Sequence, residues 1–415
     1  MKKVAIISAG VLPVPAIKGG AVESLIDLFA QKNKINPMHD LTIFSIDDIK
    51  FKGTSMDSKY LHYCHIKQEP LLSFFDKLIY FFAKNILKRK NTTTFKNFLN
   101  RLHYYLEIRK ALVKQSFDLV ILENHCAEYL CLKPKTIYRK YYKKVILHSH
   151  NKPAHFKPFI KTMRMTKSIY CVSSALANLW KKEMEQYKFM QDVEYGVIKN
   201  GIRCDLFQPT DTRLSYEYFN GKLNLPKDKK IVLFAGRMIK EKGIFELIDA
   251  FKKLDNKYHL LLVGDYFYDS KSKNFGTETL NNKLLEIKDR YSFTGYVPYS
   301  KMPFVYNVAD IVVLPSIEFD AAPLTLLEAI CCCKPTISTK IGGIPEYAAD
   351  CGVILLDVTD NLQFDIVKSI KKLEDDTFYE ELVKRSLNKK ESYDSRVFCA
   401  RYDEMIDGAI EGRPL

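Results

Sequence analysis

The stretch Asp320-Ala-Ala-Pro-Leu-Thr-Leu-Leu-Glu328 follows the apolar run Ile311 to Leu314 and carries two carboxylates eight residues apart. An apolar run that stops at Pro315, a loop, and an uncharged helical start near Leu324 together read as a buried parallel strand passing into a helix. Backbone N–H groups at such a helix start have no partner within the helix and can face a phosphate or a polar sugar. Glu328 falls about one turn further in, placed to take two hydroxyls of a ribose. Taken alone, such an acidic pair is a cap and a solvated helix face. Here it is not alone.

Ile231-Val-Leu-Phe-Ala-Gly236 reads as another buried strand. Arg237 and Lys242 follow it in Gly-Arg-Met-Ile-Lys-Glu-Lys-Gly243, ahead of an amphipathic helix with apolar positions at Ile244, Leu247, Ile248, Phe251 and Leu254. Both cations therefore stand at the carboxyl end of a strand and the amino end of a helix. A guanidinium and an ammonium beside helix N–H groups make a clamp for a diphosphate. Ile341-Gly-Gly-Ile-Pro-Glu346 supplies a further flexible turn after a strand.

With Gly19-Gly20 after the first strand, and with Asn200-Gly201-Ile202, Asp205 and Phe207, these motifs run in the order seen in retaining glycosyltransferases of the GT-B fold. The chain resembles glycosyltransferase family 4, of the bacterial cell-surface polysaccharide or glycolipid type. The resemblance covers nearly the whole length, densely from Asn200 to Leu356 and thinly between Phe51 and Lys144. It implies an α/β protein with two doubly wound Rossmann-like domains facing a cleft. It also implies transfer of a hexose-type sugar from a nucleoside diphosphate sugar, commonly a UDP-sugar, to a hydroxyl of a glycan or lipid-linked acceptor, with retention and without a metal or other cofactor. The nucleotide-sugar contacts it implies are Gly19, Gly20, Asn200, Gly236, Arg237, Lys242, Asp320, Ala322, Pro323, Leu324, Thr325 and Glu328. The catalytic set is His150, Asp320, Arg237 and Lys242. No residue stands out as a covalent nucleophile, so front-face attack assisted by the leaving phosphate is the expected mechanism.

One departure stands out: the family pattern has glutamate at both ends of the eight-residue spacing, whereas this chain has Asp320 at the first. Glu318, two residues earlier, is the alternative contact to the donor sugar. His150 and His148 are likewise alternatives at the end of the strand Lys144 to His150, where the family keeps a histidine facing the transferred sugar. His150 leaves the strand at its carboxyl end together with Asn151, and His148 is expected to point into the sheet or the neighbouring layer.

A chain of 415 residues exceeds one compact core and fits two domains. Apolar strands alternate with helical patterns twice: from Val4 to Asn200, with long basic helices from Ser73 to Gln115, and again from Ile231 to Leu356. The polar, Pro- and Gly-interrupted stretch Cys204 to Lys227 separates them. The expected division is 1–204 for the acceptor side, joined by a crossing helix in 393–415, and 205–392 for the nucleotide-sugar side. Met1-Lys-Lys3 leads straight into Val4 to Gly10, too short for a signal-peptide core. The ten cysteines show no metal-ligand or disulfide spacing, which fits reduced, buried thiols in a cytoplasm.

The net charge of +15 is concentrated in the first half. Phe74 to Lys114 has ten Lys or Arg against Asp76 and Glu107, and Cys131 to Lys167 has eleven basic residues and no acidic one. The first of these also carries nine aromatic residues, including Phe74, Phe75, Phe81 and Phe82. Basic and aromatic side chains on one helical segment suit an anionic membrane surface, implying a peripheral place on the inner face of the plasma membrane. No nucleic-acid motif accompanies the charge. Lys77, Lys84 and Lys88 break the longest apolar run, so no segment is expected to span a bilayer. Two other readings share the fold: a catalytically weak sugar-nucleotide-binding partner subunit and a nucleotide-sugar 2-epimerase. A dinucleotide oxidoreductase would need Gly-x-Gly-x-x-Gly after the first strand, and Gly10-Val-Leu-Pro-Val-Pro lacks it.

Overall fold

A computed structural model of the chain describes residues 1–51, 56–86, 97–265 and 275–413. The chain divides into two compact units, one of residues 1–172, 176–198 and 399–415, the other of 173–175 and 199–398.

The first unit is built on seven parallel strands: β1 (Lys3–Ile7), β2 (Asp40–Ile46), β3 (Leu61–Ile66), β4 (Leu119–Glu123), β5 (Val145–Ser149), β6 (Thr166–Cys171) and β7 (Glu194–Val197), in the order β3-β2-β1-β4-β5-β6-β7. Val4 pairs with Leu41 on one side and Leu119 on the other. The central strands read as unbroken apolar runs because helices cover both faces of a parallel sheet. Chain order reverses between β1 and β4, so the loops leaving their carboxyl ends diverge and leave room between them. The edge strand β3 was not anticipated: Leu61-His-Tyr-Cys-His-Ile66 buries only its two end residues and lacks the apolar run that marks its neighbours.

The second unit repeats the plan with β8 (Lys230–Ala235), β9 (Tyr258–Val263), β10 (Tyr291–Phe293), β11 (Ile311–Leu314), β12 (Thr336–Thr339) and β13 (Val353–Leu356), in the order β10-β9-β8-β11-β12-β13. Alternation along β8 sends Ile231, Leu233 and Ala235 to the face packed by Leu326, Leu327 and Ile330, and Val232 and Phe234 to the face packed by Ile244, Leu247, Ile248 and Phe251. Each of these valine, leucine, isoleucine and phenylalanine side chains contributes about 1.5–3 kcal/mol when fully buried. Here the reversal lies between β8 and β11. The two units are Rossmann-like α/β domains.

The last helix, Ser395–Glu411, is 17 residues long; it starts among residues of the second unit and from Cys399 belongs to the first. There Tyr402 lies 4.4 Å from Phe29, ring to ring, and Asp403 pairs with Lys32. The basic region resolves into Pro70–Phe81, a π turn Phe82–Ile86, and Phe98–Lys114. Pro70–Phe81 is turned inside out: it buries Asp76 and exposes Leu71, Phe74, Phe75, Leu78 and Phe81 on a single stripe. The buried carboxylate is accounted for, since it accepts the N–H groups of Leu99 (2.7 Å) and Asn100 (3.1 Å) at the start of the following helix.

Candidate functional site

The switch point of the second unit gathers the charged loops. β8 ends at Ala235, and the chain passes through Gly236, Arg237 and a short 3-10 turn, Lys240–Lys242, to Gly243, which precedes the helix Ile244–Phe251. Gly243 has φ +72°, and a Cβ there would lie 1.8 Å from the carbonyl oxygen of Pro315, so only glycine lets this loop press on the end of β11. The close approach is fixed by Ile317 N–H donating to the Glu241 carbonyl at 3.0 Å. Arg237 is exposed, and its side chain has no hydrogen-bond or ion-pair partner among the described residues. Lys242 is partly buried, and its ammonium pairs with the Asp320 carboxylate, which Ser316 Oγ also approaches at 3.5 Å.

The loop after β11 is held by its carbonyls. Asp320 O accepts the Gly343 N–H at 2.8 Å, and Ala322 O accepts Asn200 Nδ2 at 3.0 Å. Between them, Ala321 O sits where a Cβ on Gly343 would come within 1.9 Å. The Gly342-Gly343 turn thus serves as a seat for the Asp320–Ala322 backbone. Asn200 is itself positioned by Tyr347, whose hydroxyl accepts its N–H at 2.7 Å, and its Oδ1 is buried without a partner among the described residues. Glu346 accepts the Ser174 N–H at 2.7 Å and lies 3.6 Å from Lys199. Glu318 is exposed and makes no side-chain bond among the described residues.

Pro323 precedes the helix Leu324–Cys331, whose first N–H groups, at Leu324 and Thr325, take no protein acceptor among the described residues. Glu328 projects from the second turn, is 5% exposed, and accepts a 2.6 Å hydrogen bond from Tyr306. Burial pushes its carboxyl up to about 7, against the Tyr306 hydrogen bond, which favours the charged form.

The first unit has its own cluster at the carboxyl ends of β1, β4 and β5. Gly19 and Gly20 have φ +74° and +104° and lead into the helix Ala21–Ile35. Glu23, in its first turn, folds its carboxylate against the Gly20 α-carbon; burial, with a smaller contribution from the Glu123 charge, raises it to about 7. Glu123 ends β4 and is buried. Its Oε2 accepts from His148 Nδ1 at 3.0 Å and His150 Nε2 at 3.1 Å, and its Oε1 accepts from the Tyr402 hydroxyl. Burial alone would raise this carboxyl, but the two imidazoles outweigh it and hold it below the ordinary range. Burial, then His148, pushes His150 down to about 4. His150 is further tied through its N–H to Asn124 Oδ1 at 3.2 Å. Glu123, His148 and His150 also bring one potential ligand atom each within 4.8 Å of one another, a spacing a divalent cation could use.

Asn200, Lys242, Asp320 and Ala322 therefore share one network in the second unit, with Glu328 on the helix that follows. Gly19, Gly20 and His150 belong to the first unit. Glu23, Glu123, Tyr306 and Tyr402 went unread in sequence. Glu123 alone carried a usable signal, as a carboxylate closing the apolar strand Leu119–Leu122.

Residues 216–391 match the family model described as glycosyl transferases group 1. That match falls within the second unit. YtcC of Bacillus subtilis, a glycosyltransferase by its description, is 24% identical over 83% of this chain and 76% of its own length. The lipopolysaccharide 1,2-N-acetylglucosaminetransferase of Salmonella typhimurium is 24% identical over 59% of this chain and 60% of its own length. Among solved structures, Anabaena HepE in complex with UDP and glucose aligns with a TM-score of 0.70 at 16% identity, covering 98% of this chain and 99% of that one. At that identity the likeness is one of fold, and the fold is GT-B. The group 1 match over 216–391 lies in the unit that carries Arg237, Lys242, Asp320 and Glu328.

Proposed function

We propose that this protein is a retaining glycosyltransferase of the family 4 kind, moving a hexose-type sugar from a UDP-sugar to a hydroxyl of a glycan or lipid-linked acceptor in cell-surface polysaccharide or glycolipid synthesis. The observation that carries the reading is the pair of cations at the β8–β11 switch point: Arg237, exposed and unpaired among the described residues, and Lys242, held by Asp320. Two positive charges, with the N–H groups of Leu324 and Thr325 that take no acceptor among the described residues, can neutralise a leaving diphosphate as it develops charge, a role a metal fills in other enzymes. Glu328 holds the ribose, and Asp320 the donor sugar. The relatives support the same donor class, since HepE is described with UDP and glucose. The experiment is a panel of nucleotide sugars, read by released nucleoside diphosphate in chelator, with and without membrane lipid extract. Release from one donor, rising with extract, is the expected result; a panel without release would return the protein to a binding subunit.

The acceptor reading rests on the inverted helix. Leu71, Phe74, Phe75, Leu78 and Phe81 face outward with Lys77 and Lys84 beside them, the composition that enters the interface of an anionic leaflet. Lys88, Arg89 and Lys90, which extend that basic character, lie outside the described residues. No described helix is long and apolar enough to cross a membrane. Peripheral docking at the cytoplasmic face would bring a lipid-linked acceptor to the enzyme.

A further inference from the structure

Glu123 lies at the carboxyl end of β4, one strand from β5, which ends in Ser149 and is followed by His150. Its carboxylate has three donors around it: His148 Nδ1, His150 Nε2 and the Tyr402 hydroxyl. A carboxylate gives no hydrogen, so each ring nitrogen that meets it must carry one. The neutral His150 ring then has its hydrogen on Nε2 and its lone pair on Nδ1, the nitrogen that has no protein partner among the described residues. We propose that Glu123 is a positioning residue for His150: it fixes the ring so that Nδ1 is presented as a hydrogen-bond acceptor to a hydroxyl of the sugar being transferred. Tyr402 completes the arrangement by occupying the other carboxylate oxygen, which keeps Glu123 ionised without drawing on a further hydrogen from His150.

The geometry favours this arrangement over a metal at the same three side chains. A cation would displace the hydrogens of His148 Nδ1 and His150 Nε2, and His148 would then carry its only hydrogen on Nε2, which is buried with no partner among the described residues. Leaving a buried donor unmade is costly, whereas the hydrogen-bonded arrangement leaves only a lone pair there. The shift of His150 toward its neutral form agrees with the tautomer argument, which stands on the distances alone.

The proposal rests on the reading of His150 as facing the transferred sugar, and the test separates the two. Steady-state kinetics with the best UDP-sugar would be compared for wild type, His150→Gln, Glu123→Gln and Tyr402→Phe, with long-range proton–nitrogen NMR of histidine-labelled full-length protein. A glutamine at position 123 is uncharged, and its NH2 group must face either the two ring nitrogens that now meet Oε2 or the Tyr402 hydroxyl that now donates to Oε1, so the hold on the Nε2–H tautomer is weakened. Glu123→Gln should lower kcat about 10- to 100-fold, the usual scale for a residue acting through another. The affinity for UDP should stay the same, and the His150 nitrogen signals should move away from the Nε2–H pattern. Tyr402→Phe should change kcat in the same direction by less. Loss of activity in His150→Gln with wild-type kcat and unchanged ring signals in Glu123→Gln would overturn the proposal alone. Wild-type kcat in His150→Gln would overturn the reading beneath it, and the proposal with it. Stoichiometric zinc in the purified protein that is lost in Glu123→Gln would also overturn it.

Discussion

Lys242 and Asp320 are ion-paired in the second unit, so the side chain expected to grip the diphosphate and the one expected to grip the sugar hold each other. The pair holds both groups pre-oriented at a partly buried position, and a donor would replace or share it. Lys242→Ala removes a charge-assisted contact of about 1.5–3 kcal/mol, which is roughly 10- to 150-fold in affinity for UDP. Asp320→Asn frees the ammonium for phosphate, so UDP affinity should hold or rise while transfer falls. Calorimetric titration of both variants checks this; equal weakening of UDP would contradict the division of roles.

Glu328 gives a pH dependence with a defined sign. Its folded value, about 7, lies above the ordinary 4.5, so the neutral acid dominates below that value and the carboxylate above it. Two ribose hydroxyls donate better to the carboxylate, and UDP binding should strengthen as pH rises through about 7. The same shift means that the folded state holds a proton the unfolded chain releases, so this group's contribution to stability is lost as pH rises from 4.5 to about 7. Tyr306→Phe removes the hydrogen bond that favours the charged form and should move the binding midpoint upward. Glu328→Gln should make this part of the profile flat. Binding isotherms across pH measure both.

Gly343→Ala should damage the site through the backbone. The added Cβ would meet Ala321 O at 1.9 Å and also Ser173 Cβ at 2.7 Å, so the loop bearing Asp320 must shift. A loss of about 1–3 kcal/mol in denaturant unfolding is expected, together with lower transfer. Gly408→Ala is the matched control: it lies in the last helix with nothing within 4 Å of its added Cβ, and should stabilise by about 0.5–1 kcal/mol.

The outward stripe of the helix Pro70–Phe81 predicts a binding phenotype without a folding one. Replacing Phe74, Phe75 and Phe81 by serine removes exposed side chains only, so the melting temperature should stay near wild type while co-sedimentation with acidic vesicles falls. Added salt should weaken wild-type binding through the basic residues. Wild-type binding that is absent or indifferent to salt would leave this stripe without a lipid partner.

Much of the fold was legible because buried parallel strands announce themselves: Val4 to Ile7, Ile231 to Ala235 and Ile311 to Leu314 are apolar runs that stop at glycine, proline or a charge. The Asp320–Glu328 and Gly236–Gly243 loops were legible for the same reason, since their charges stand just past such runs. Local pattern could not reach contacts made by the tertiary fold. Glu123 meets Tyr402 across 279 residues, and neither residue type marks the pairing. The inversion of Pro70–Phe81 was half visible: its apolar stripe could be read, but Asp76 turning inward to cap the next helix could not. β3 stayed hidden because an edge strand need bury little.

The most direct test of the central claim is release of UDP from a UDP-sugar in excess chelator by wild type and by Arg237→Ala. The exposed Arg237 side chain makes no hydrogen bond or ion pair among the described residues, so its loss should not affect folding and should reveal only the clamp. The account predicts full wild-type turnover in chelator and a fall of at least about 100-fold in the variant, the scale of losing one preorganised contact to a developing anion. Turnover that is abolished by chelator and restored by magnesium or manganese, or that survives the loss of Arg237, would contradict it.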